Sequence, residues 1–96
     1  MAYYIKIKKI DENSSYALYK ATNENHDFLI KIDILDQTID FFKNAESSSC
    51  YSIDLKNTNQ KIDIPWIDPH IIYAVFIKAS RVIQLKQFPD DISFCV

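Results

Sequence analysis

Phe28-Leu29-Ile30-Lys31-Ile32-Asp33-Ile34-Leu35 alternates so regularly that it decides the fold class. Side chains of a strand alternate with period two. Phe28, Ile30, Ile32 and Ile34 therefore share one side, and Leu29, Lys31, Asp33 and Leu35 the other. Asp36-Gln37 reads as a tight hairpin connection. Thr38 to Lys43 returns, with Ile39 and Phe41 set against Asp40 and Phe42. A link this short joins antiparallel neighbours, because parallel strands need a crossover of about a dozen residues or more.

The same pattern extends outward. Tyr3 to Ile10 sets Tyr3, Ile5 and Ile7 against Tyr4, Lys6 and Lys8. The polar cluster Asp11 to Ser15 turns the chain into Tyr16 to Ala21, where Tyr16 and Leu18 oppose Ala17 and Tyr19. Thr22 to Asp27 turns it again. Asn44 to Cys50, with three consecutive serines, is loop-like. Tyr51 to Lys56 then sets Tyr51, Ile53 and Leu55 against Ser52, Asp54 and Lys56. The chain has no glycine, where average composition gives about seven. Left-handed turn positions are thus expected at Asn13, Asn23, Asn25 and Asp36, the next most tolerant residue types.

The character changes at Asp68-Pro69. Asp is a favoured N-cap and Pro is favoured at the first helical position. Ile67 and Ile72 fit a hydrophobic staple across that start. At 100° per residue Ile72, Val75, Phe76, Ala79, Val82, Ile83 and Lys86 fall on one side, and His70, Tyr73, Ser80, Arg81 and Gln84 on the other. The helix is predicted to stop before Pro89, after about 19 residues or roughly 28 Å. Ile92 to Val96 suits a short final strand. The fold class is α+β: an antiparallel β-meander sheet of four to six strands, with one long C-terminal helix packed on one face. Residues 1–96 form a single domain whose helix covers Ile5, Ile7, Ile30, Ile32, Ile39, Phe41 and Ile53.

Composition narrows the function. The net charge is −2, and ten of the eleven basic residues are Lys, leaving Arg81 as the only Arg. Arg dominates bidentate phosphate recognition, which argues against a nucleic-acid binder. Without glycine there is no phosphate-cradling loop, dinucleotide fingerprint or nucleophile elbow. No basic segment followed by an apolar one opens the chain, and no apolar run can span a bilayer, so the expectation is a cytoplasmic protein that does not act at a membrane. Cys50 and Cys95 are then reduced thiols.

Cys50, His70 and Asp68 are the nearest approach to a nucleophile, base and orienting carboxylate. The ordinary reading is a loop thiol beside a surface imidazole, and the chain is expected not to be an enzyme. His26 and His70, with Asp27 and Asp68, lack the paired spacing of a zinc site, and no metal or other cofactor is expected. Trp66 reads as a core plug where the chain enters the helix, with an exposed interface anchor as the alternative.

The face of the sheet away from the helix is expected to carry Tyr4, Lys6, Lys8, Tyr19, Leu29, Lys31, Asp33, Phe42 and Asp54. Apolar patches rimmed by charge mark interaction sites, and Tyr is enriched at interface cores. Tyr4, Tyr19 and Phe42 are candidate anchors, with Asp33, Asp36, Asp40 and Asp54 supplying charge complementarity to a basic protein partner. The alternative is a small nucleic-acid-binding protein, with Lys6, Lys8 and Lys31 beside Tyr4 and Tyr19 as a stacking platform.

The meander from Tyr3 to Lys43, the helix starting at Asp68-Pro69 and the acidic series Asp33, Asp36 and Asp40 give a whole-chain profile. It resembles the immunity proteins of bacterial toxin systems, including contact-dependent growth inhibition. The resemblance rests on no single motif and assigns no role to an individual residue. It implies stoichiometric, tight binding to one cognate toxin domain, often a nuclease, whose active site is occluded.

Overall fold

The computed structural model describes residues 4–23, 27–43, 50–56 and 64–95. Five consecutive strands, β1 (Tyr4–Glu12), β2 (Tyr16–Thr22), β3 (Asp27–Asp33), β4 (Thr38–Phe42) and β5 (Cys50–Asp54), pair antiparallel in chain order as an open meander. Helix α1 (Pro69–Leu85) follows, and β6 (Phe94–Cys95) returns to the outer edge of β1. The sheet order is β5-β4-β3-β2-β1-β6.

All seven positions expected under the helix are buried. α1 contributes Ile71, Ile72, Val75, Ala79 and Val82 to the same core, with Phe76 and Ile83 packed at its margin. Asp68 caps the helix: its Oδ1 accepts from the His70 backbone N–H at 2.8 Å. Ile67 and Ile72 both lie in the core, as a staple requires. Lys86, expected on the buried stripe, is exposed because the helix has already ended. Trp66 is a half-buried plug, packed edge-on against Phe28 and Tyr51 with ring centroids 6.0 and 6.2 Å apart.

Two expectations about turns are corrected. The β3–β4 connection is a four-residue loop, Ile34 to Gln37, because the last paired residues are Asp33 and Thr38. The left-handed residues among those described are Gln37 (φ 55°) and Lys86 (φ 56°), so neither Asn13, Asn23 nor Asp36 is one. Asn25 lies outside the described residues. Asn13 turns the chain with its side chain instead: Oδ1 accepts from the backbone N–H groups of Ser15 and Tyr16 at 2.8 and 2.9 Å. Asp33 Oδ1 likewise accepts from the Asp36 N–H, which moves the strained position one residue on, to Gln37.

Tyr19 is the third correction. It was expected on the open face and is fully buried, 0% exposed, between Ala17 and Ala21 on the helix side. Its hydroxyl donates to the Pro89 carbonyl at 2.8 Å. Two small neighbours leave room for the ring, and the carbonyl satisfies its one polar atom, so burial carries no unpaired donor.

The segment after α1 is fastened along β1. Ile7 N–H donates to Ser93 Oγ at 2.8 Å, Ile92 N–H to Ile7 O at 3.0 Å, and Lys9 N–H to Asp90 O at 2.8 Å. Lys8 pairs with Asp91, and Lys9 with Glu12 and Asp90.

Candidate functional site

With α1 on one face of the sheet, the opposite face carries the candidate site. Every described side chain there is half-buried or exposed. Strand register places its residues in rows. Lys8 lies opposite Lys20, Lys20 opposite Leu29, and Leu29 opposite Phe42. One row on, Leu18 faces Lys31, which faces Asp40, which faces Ser52. The last row runs Tyr16, Asp33, Thr38, Asp54. The register of β1 shifts between Lys9 and Asp11, leaving Ile10 as a bulged, 54% exposed residue.

The structure brings five of the seven expected site residues together. Phe42 and Asp40 lie on β4, Asp33 on β3 and Asp54 on β5, with Asp36 exposed in the adjoining loop. Asp40 accepts from Ser52 Oγ at 2.5 Å, and Asp54 Oδ1 accepts from the Lys56 N–H at 2.9 Å. Tyr4 is exposed but stands apart. It lies on β1, four strand spacings or roughly 19 Å from β5, and pairs with Cys95 on the far side. Tyr19 is excluded by its burial.

Tyr16, Leu18 and Lys20 take Tyr19's place on β2. The Lys31 ammonium lies 4.4 Å from the Tyr16 ring centroid, a cation–π contact in the middle of the face. The sequence signal for these residues was the alternation of β2. Once Tyr19 goes inward, Tyr16, Leu18 and Lys20 must go outward.

The other candidates separate. Asp68 Oδ1 lies 3.0 Å from His70 Nδ1 at the exposed start of α1, and the same oxygen caps the helix. Cys50 is placed by its backbone opposite Phe42 at the start of β5, and its side chain lies outside the description. His26 lies outside the described residues. Among the described residues no group of three or more His, Cys, Asp or Glu is disposed to hold a metal ion, and no helix is long and apolar enough to cross a membrane.

Electrostatic perturbation concentrates at the β1 edge. Hydrogen bonding to Lys8, and then to Ser93, holds the Asp91 carboxyl well below the usual carboxylate range. Hydrogen bonds to Glu12 and Asp90 push the Lys9 ammonium up to about 12. These pairs fasten the chain's last segment, which accounts for them structurally. A cleft of about 280 Å³ opens between the end of α1 and this segment, lined among others by Lys78, Arg81, Val82, Leu85, Phe88 and Ile92. Neither Lys78 nor Arg81 is ion-paired within the described residues.

No protein family matches the chain, and neither a curated protein nor a solved structure matches it.

Proposed function

We propose that the chain is a non-enzymatic protein-binding module, an immunity protein that binds and neutralises a cognate toxin domain through the open sheet face. One observation carries the reading. The helix covers a single face, and the other presents the apolar residues Leu18, Leu29 and Phe42 beside Asp33, Asp40 and Asp54, with Asp36 on the rim. Apolar anchors supply desolvated contact, and the carboxylates steer a basic partner, as a nuclease domain is. Phe42 and Leu29 are the contact residues of this interface, and Asp33, Asp36, Asp40 and Asp54 its charged side.

The nucleic-acid alternative is weakened by the same placements. Its platform loses the Tyr19 ring to the core, and Lys8 is engaged by Asp91.

Affinity capture from host cells, followed by calorimetric titration of the captured protein, tests the reading. The expected result is a one-to-one complex with a basic protein. The Asp33→Ala, Asp36→Ala, Asp40→Ala triple variant should bind it about tenfold more weakly and with a flatter salt dependence. Equal affinity of variant and parent sinks the site. Capture of polynucleotide, with affinity falling steeply in salt, sinks the function.

A further inference from the structure

Charge on the open face divides by strand with one exception, Lys31 of β3, whose ammonium lies over the Tyr16 ring beside Asp40. Lys6 and Lys8 on β1 and Lys20 on β2 make one side basic. Asp33, Asp40 and Asp54 on β3, β4 and β5 make the other acidic. Lys8 is shared with Asp91, while Lys6 and Lys20 make no ion pair among the described residues. Asp11 at the bulge and Asp27 at the far end of β3 lie at the margins of this division. Leu18 and Leu29 sit between the two sides, and Phe42 continues the apolar band.

We propose that this face is self-complementary and that two copies of the chain pair through it. A symmetric dimer needs a patch that complements itself under a two-fold rotation. The register supplies one. A two-fold axis lying in the interface and running obliquely across β3, between Leu29 and Lys31, lays Lys20 of each copy over Asp40 of the other. The same rotation carries Lys6 towards Ser52 and Asp54 of the second copy and sets Leu29 against Phe42. Sheets stacked face to face lie about 10 Å apart with interdigitated side chains, so the apolar band fills the middle of the pair.

The charge pattern selects this occupant. A uniformly basic partner satisfies only the acidic side and leaves Lys6 and Lys20 facing like charge. A second copy meets both sides with opposite charge. The pairing stands independently of the toxin reading, since it belongs to the chain alone. If both hold, a partner on the acidic side displaces the second copy.

Sedimentation velocity of the purified chain over a concentration series tests this. The expected result is a concentration-dependent species of twice the 11.2 kDa chain mass, weakened by salt. Lys20→Glu and Asp40→Lys should each raise the dimer dissociation constant tenfold or more. Mixed in equal amounts they should pair again as a heterodimer, because Glu then meets Lys and the native Lys meets the native Asp. Circular dichroism checks that each variant keeps its fold. Should either fail to fold, Leu29→Glu, in the middle of the band, takes its place and should yield monomer. A parent chain that stays monomeric at the highest concentration overturns the proposal. So does a dimer that neither charge reversal nor Leu29→Glu disturbs, or a mixture of folded variants that remains monomeric.

Discussion

Tyr19 joins the first half of the chain to the last. Burial raises its phenol from 10.0 to about 12, with the Lys9 charge opposing the shift in part. A raised folded-state value favours the fold most where the group is protonated in both states. The contribution is therefore complete below pH 10 and disappears as pH rises to about 12. Lys9, raised from 10.5 to about 12, acts in the same direction over an overlapping window. Thermal melts of the parent should lose stability steeply above pH 10. Tyr19→Phe should lose about 1 kcal/mol at neutral pH, from the missing bond to Pro89, and decline less steeply in alkali. An equal alkaline slope in both proteins assigns the effect elsewhere. Gln37 is the other telling residue. Its left-handed backbone costs roughly 1 kcal/mol in a residue with a Cβ, so Gln37→Gly should raise the melting temperature by a few degrees.

At the scale of elements, Asp68→Ala should destabilise the protein by about 1 kcal/mol in chemical denaturation, because it orphans a first-turn N–H. The clasp of residues 90–93 on β1 responds to acid. The Asp91 carboxyl is held below its ordinary 3.8 by Lys8 and Ser93. Its contribution is thus present above about pH 3.8 and lost as pH falls through its lower folded value. Asp91→Asn should speed amide exchange at Ile92 and Ser93 at neutral pH, and the parent should approach the variant only in strong acid.

Elements were far more legible than faces. Each strand carries its own alternation, and Asp68-Pro69 announces the helix within its own few residues. The inward side of β2 was less legible, because Tyr16 and Leu18 rival Ala17 and Tyr19 in apolar character. Tyr19 goes inward between two small residues, and its hydroxyl meets its acceptor on Pro89, 70 residues away, a contact no local pattern encodes. The acidic side of the site was readable because β3 and β4 each alternate; lengthening their loop from two residues to four slides the register by two and leaves every side chain on the same face. The basic side depends on β2, where Lys20 faces outward only because Tyr19 faces inward.

At the scale of the molecule, the two faces of one sheet divide stability from recognition. Ile30 is fully buried under α1, and its neighbour Leu29 is half-buried on the open face. Ile30→Ala should cost about 2–5 kcal/mol, a large part of the roughly 5–15 kcal/mol that holds a domain folded. Leu29→Ala should cost under about 1 kcal/mol while weakening whatever docks there. Equal losses in urea unfolding would contradict this division.

The return of the last strand to the first bears on synthesis. Tyr4 pairs with Cys95 and Ile5 with Phe94, so the outer edge of β1 is completed by residues that leave the ribosome after every other described element. Until then the nascent meander shows an unpaired backbone edge, and the Tyr19 hydroxyl waits for its acceptor. A nascent chain stalled before Pro89 has cleared the exit tunnel should accordingly be open to protease along β1, and emergence of Phe94 and Cys95 should close it.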